Sequence, residues 1–150
     1  MSRAFTVDMM CICEYATQDV TGRAMLAGIF PGTIGFESQP TVWPQNFISI
    51  FISPKNKKFS FSIKLLDKDK HNIITFNGNY ENAVEPDARE RIVFMGQIPP
   101  VKFTGAGDHE LVVMQGKHVV ETRTFPVTIG SQLPMQLGNI SITHEMNDID

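Results

Sequence analysis

The sequence predicts an all-β chain, an antiparallel two-sheet β-sandwich of about eight strands. Three observations carry this. Apolar residues recur with period two in one segment after another, clusters of Gly, Pro, Asn and Asp separate those segments at short intervals, and no stretch has a helical period. With 150 residues, 42% of them hydrophobic, one domain can bury about two-thirds of the surface its unfolded chain exposes. Neither a disulfide nor a metal is then needed to hold it together.

The elements follow in order. Phe5, Val7, Met9, Cys11 and Cys13 share one parity, with Thr6, Asp8 and Glu14 on the other, which predicts a half-buried opening strand. Asp19 to Arg23 reads as a turn, with Gly22 free to take positive φ, and leads into a strand over Ala24 to Phe30 that Pro31-Gly32 stops. Thr33 to Pro44 holds Gly35, Pro40 and Pro44 and is expected to be a long crossing loop carrying the single tryptophan, Trp43. In Phe47 to Ser53, Ile48, Ile50 and Ile52 oppose Phe47 and Phe51, so both faces of that strand are expected to be partly covered. Pro54 to Lys57 is expected to close a hairpin. Phe59, Phe61, Ile63 and Leu65 then alternate cleanly with Ser60, Ser62 and Lys64.

Asp67 to Asn72 is a polar turn, and Ile74 and Phe76 carry the next strand as far as Gly78. The polar stretch Glu81 to Glu90 is expected to hold one helical turn with Pro86 at its first position. Ile92, Phe94 and Ile98 mark a further strand, ended by Pro99-Pro100. Glu110 to Gln115 and His118 to Ile129 flank Gly116-Lys117, a pair suited to a type II′ hairpin turn. Pro126 cannot donate to a ladder, which places that end of the strand at an edge or a bulge. The domain is expected to span residues 1–130, with residues 131–150 a partly mobile C-terminal extension.

Composition excludes several classes. A net charge of −3 and a pI near 5.8 argue against nucleic acid, whose binders carry a basic face. No apolar stretch is long enough for a transmembrane helix. Asp8 interrupts the apolar N-terminal run, so no signal peptide is read there and a cytoplasmic location is expected. The triplet Asn139-Ile140-Ser141 matches a glycosylation sequon that carries no meaning without secretion. Cys11 and Cys13 lie two apart on one strand face, a geometry that favours buried reduced thiols over a bridge or a zinc site.

Chemistry has few candidates. There is no glycine-flanked serine and no cysteine near a histidine in sequence, so the chain is expected to be no enzyme and to need no cofactor. Gly105-Ala106-Gly107 leads into a strand, not a helix N-terminus, and is read as a flexible loop. Lys55, Lys57 and Lys58 read as protection of a hairpin against edge pairing. Asp67 and Asp69, two apart in an inter-strand loop, are candidate calcium ligands of the kind that β-sandwich modules of the C2 type supply, with Asp108 as a third. The loops at 31–46, 67–72 and 99–109 would then open at the same end. Those loops also form a candidate protein-binding surface, with Phe36 and Trp43 as anchors. The alternative for Trp43 is that it folds back to plug the end of the sandwich.

Several segments resemble a known family. Cys13-Glu14, the turn centred on Thr21-Gly22, Met25-Leu26-Ala27-Gly28-Ile29-Phe30-Pro31-Gly32, then Pro40 and Trp43-Pro44, and the closing Gly107-Asp108-His109-Glu110-Leu111-Val112-Val113 are similar to a bacterial family of small stand-alone proteins of unknown function. The resemblance implies an immunoglobulin-like or C2-like sandwich and brings no catalytic residues. The expected function is therefore a non-enzymatic module that binds a protein partner or assembles as a homo-oligomer. The alternative is a calcium-binding C2-like module that could act at a membrane, and a hydrolase ranks third.

Overall fold

A computed structural model describes residues 2–130. Among them nine strands form: β1 (Phe5–Gln18), β2 (Ala24–Ile29), β3 (Ile34–Phe36), β4 (Asn46–Pro54), β5 (Lys58–Leu66), β6 (Asn72–Glu81), β7 (Ile92–Ile98), β8 (Gly107–Gln115) and β9 (His118–Ile129). They make two sheets, one of order β2-β1-β4-β7 and one of order β3-β9-β8-β5-β6, so the predicted two-sheet sandwich is the observed fold. The ninth strand, β3, lies inside the stretch read as a loop. It pairs with β9 over three residues, and in parallel, so the sandwich is antiparallel everywhere but at that edge. Three residues are too few to show a period in sequence.

Two local expectations change. Residues 54–57 do not close a hairpin, because β4 and β5 belong to different sheets; the segment crosses between them, tied by Lys55 and Asn56 N–H donating to the Ala4 carbonyl. Residues 86–90 form no helix. Glu90 N–H donates to the Asp87 carbonyl at 2.9 Å, which closes a single turn. The hairpins β5–β6 and β8–β9 form as read, and Gly116 takes φ 61° at the latter. Residues 131–150, where the C-terminal extension and the sequon were placed, lie outside the described residues.

The most consequential difference is in β1. Thr6 and Val7 face Ser53 and Ile52, but the next partners are Met9 with Phe51 and Met10 with Ile50, so Asp8 is an extra residue in the ladder. One bulged residue exchanges the faces of everything beyond it. Phe5 and Val7 point inward, and past the bulge Met10 and Ile12 do so. Met9, Cys11 and Cys13, grouped with Phe5 by parity, turn to the outside.

Between the sheets lies one core of Phe5, Met10, Ile12, Ile48, Ile50, Ile52, Phe59, Phe61, Ile63, Leu65, Leu111, Val113 and Phe125, with neighbours. Aromatic pairs join the layers: Phe5 stacks on Phe59 at 4.8 Å between centroids, and Phe61 meets Phe94 edge-on at 6.0 Å. Phe61 lies so close over Gly78 that a Cβ there would stand 2.2 Å from its ring. Along one side the sandwich is open, since β1 pairs with β2 only from Cys13 onward and β9 pairs with β3 only from Val127 onward. Arg123 on β9 spans this gap, its guanidinium donating to the Met10 carbonyl and, at 2.8 Å, to that of Pro31.

Candidate interaction surfaces

The loops expected to gather at one end do so. Trp43 N–H donates to the Val101 carbonyl at 2.7 Å and Phe103 N–H to that of Thr41 at 3.2 Å. The Thr104 hydroxyl donates to the Asp67 carboxylate at 3.1 Å. Trp43 is 1% exposed. Its ring packs against Phe36, Phe103 and His109 with centroids 5.4–6.1 Å away. It is the plug of this end, not an exposed anchor, because the indole finds three rings to cover it and no neighbouring strand to leave it in water. Phe36 is half-buried in the same cluster. Of the two residues read as protein-binding anchors, Trp43 is thus buried and Phe36 only partly exposed.

Asp67 and Asp69 come together with His71, ligand atoms within 4.8 Å of one another, while Asp108 on β8 stands outside that group. Asp67 is 1% exposed. One of its oxygens accepts the backbone N–H groups of Asp69 and His71, both at 2.9 Å, and the other accepts Thr104. Burial disfavours its charge, but the hydrogen bonds from His71, Asp69 and Thr104 outweigh that and hold its carboxyl below the usual range. The carboxylate is the internal cap of the β5–β6 turn. Two carboxylates and an imidazole are also fewer oxygens than the six or more that calcium takes.

A different surface stands out, and no residue of it was read as a site. It is the outer face of the sheet β2-β1-β4-β7. Residues directly opposite one another share a face, so its rows can be read across the strands. They are Met9, Phe51 and Val93; then Cys11, Ser49 and Met95; then Ile29, Cys13, Phe47 and Gln97; then Ala27 with Tyr15, and Met25 with Thr17. None of these side chains is charged. Met9, Tyr15, Met25 and Ile29 are 40%, 55%, 55% and 48% exposed. Beneath them Cys11, Cys13 and Ser49 form a buried floor of small side chains, with Cys13 Sγ 3.9 Å from Ser49 Oγ. Tyr15 and Phe47 meet edge-on above it at 5.9 Å. Charge appears at the rim, where Asp8 on the bulge accepts from Ser53 at 2.5 Å and pairs with Arg91 at 3.0 Å.

The opposite outer face is conventional by contrast. Its rows mix polar and charged side chains with apolar ones: Ser60 with Asn79; Asn77, Ser62, Met114 and Val119; Thr75, Lys64, Val112 and Thr122; and Leu66, Glu110 and Thr124. A signal for the unusual face was present in sequence: β4 is apolar on both parities, as are much of β2 and β7. The bulge hid the contribution of β1.

The two thiols are free and buried. Burial, and after it the neighbouring Cys13, push the Cys11 thiol up to about 11, so at neutral pH it is protonated and a poor nucleophile. His109 is buried against Phe103 and Trp43 with Nδ1 3.0 Å from the Gly107 carbonyl oxygen.

These features define the class, an all-β two-sheet sandwich with one outer face that carries charges and one whose rows carry none. The chain belongs to DUF6941, a family of unknown function, whose family model matches residues 8–128. The chain is similar to an immunoglobulin-like protein from Pseudomonas aeruginosa, at 12% identity, covering 82% of this chain and 95% of that one, with a TM-score of 0.41. No curated protein matches the chain. Among the described residues, no helix is long and apolar enough to cross a membrane.

Proposed function

We propose that the protein is a non-enzymatic binding module whose working surface is the outer face of the sheet β2-β1-β4-β7. The observation that carries this reading is the run of uncharged rows across four strands, with Met9, Tyr15, Met25 and Ile29 standing in solvent. Antiparallel sheets that face water alternate apolar-in with polar-out, and strands apolar on both parities belong to sheets covered on both faces. Contiguous apolar patches of this kind mark interaction sites on soluble proteins. The same chemistry speaks against catalysis here. The cysteines form the buried floor of the face, with the Cys11 thiol pushed up by burial, and the buried histidine sits in an aromatic cluster. Two free thiols also suit a reducing, cytoplasmic compartment.

The test is to place a charge on the face and a matched charge on the other sheet. Tyr15→Asp is expected to abolish co-purification of whatever protein occupies the face, whereas Asn77→Asp leaves it intact. Equal behaviour of the two variants would overturn the reading.

A further inference from the structure

The reading above leaves the occupant of the face open. We infer, resting on that reading, that it is a second copy of this chain, packed sheet against sheet about a two-fold axis. Charge is the first reason. In an isologous contact the same patch serves both copies, residue i meeting residue j and j meeting i, so a net charge on the patch faces the same net charge and repels. The chain as a whole carries a net charge of −3, and the opposite outer face holds Lys64, Glu110 and Asp108. The rows of Met9, Cys11, Cys13, Tyr15 and their partners hold none. Of the charges at its margin, Asp8 and Arg91 are paired with each other, and Arg123 is held by the Met10 and Pro31 carbonyls. An uncharged surface on a net-acidic molecule is self-complementary. It offers no electrostatic handle for selecting a charged partner.

Size is the second reason. Four strands spaced ~4.8 Å apart and running for roughly 25 Å present on the order of 500 Å² in projection. The relief of large side chains over a small-residue floor adds to that figure. The result is of the scale of one side of a standard stable interface, ~800 Å² of accessible surface per partner. Two aligned sheets also pack face to face at ~10 Å, the same geometry that holds the interior of this sandwich together. Edge pairing is less suited. The open side at β1 and β9 is spanned by Arg123, which occupies the Met10 carbonyl that an added strand would need.

The experiment uses the full chain in sedimentation equilibrium across the micromolar range, with hydroxyl-radical labelling of Tyr15 in the same samples. The expected result is a dimer in which Tyr15 labelling falls as concentration rises. Ile29→Glu places two carboxylates in a two-fold contact and is expected to weaken association at least ~100-fold. Far-ultraviolet circular dichroism should remain that of the parent, since Ile29 is half in solvent. Asn77→Glu on the other sheet is expected to leave the dimer unchanged. A dimer that survives both Ile29→Glu and Met25→Glu overturns the inference. So does a monomer at every concentration. In that second case, Tyr15 protected by a different co-purifying protein would leave the binding-module reading standing, whereas Tyr15 fully reactive in every preparation would remove both.

Discussion

At the scale of single residues, position in the fold decides what a side chain can do. Asp67 has the composition of a calcium ligand and the surroundings of a turn cap. Replacing it with Ala would strand the N–H groups of Asp69 and His71 and the hydroxyl of Thr104. Loss of these partners beside a buried site is expected to cost about 2–4 kcal/mol, read from urea unfolding. The pH dependence has a definite sign. Its carboxyl is held below the ordinary value of 3.8 in the folded state, so its contribution is full above that value and is lost as pH falls through the lower folded one. Stability is therefore expected to drop below pH ~4, and Asp67→Asn should show a shallower acid dependence than the parent. A parallel loss in both proteins would reject this account. Asp19 acts in the same sense at the β1–β2 turn. Hydrogen bonds from Thr21 and Arg23 lower its carboxyl to about 2.

At the scale of elements, the bulge at Asp8 and the clasp at Arg123 do most to shape the molecule. The bulge turns Met9, Cys11 and Cys13 outward while Met10 and Ile12 take over the core. Parity counted along β1 cannot reveal it, because an extra residue leaves no mark on the alternation of a segment that is apolar on both sides. Arg123 closes the open side, reaching from one sheet to two carbonyls at the other, with its guanidinium 4.7 Å from the centre of the Phe125 ring. Arg123→Ala is expected to destabilise the fold by about 2 kcal/mol, through lost charge-assisted hydrogen bonds to the Met10 and Pro31 carbonyls. Lysine in its place should recover little, since it lacks the planar fork that serves two acceptors. Full rescue by lysine would show that charge alone matters there. The clean alternation of Phe59, Phe61, Ile63 and Leu65, in contrast, was legible at once. All four are buried, in a strand with no bulge along their stretch and polar residues between them.

At the scale of the whole molecule, the two outer faces differ in kind, and this governs how it should associate. An interface without charges has little to screen, so the dissociation constant of the dimer is expected to change less than about threefold between low and high salt. A steep salt dependence would instead point to the Asp8–Arg91 rim, or to the other sheet. The sequence by itself determined that the chain is a β-sandwich, where most strands begin and end, and that strand β4 is partly covered on both faces. Those properties are local: period-two patterning, proline and glycine punctuation, and turn chemistry act over a few residues. Only the tertiary structure decided which sheet each strand joins, which face of β1 meets the core, that Trp43 is a plug, and that four separate segments form one uncharged surface. Each of these depends on pairings between residues far apart in the chain, and a single unpaired residue at Asp8 is enough to reverse the faces of β1 beyond it.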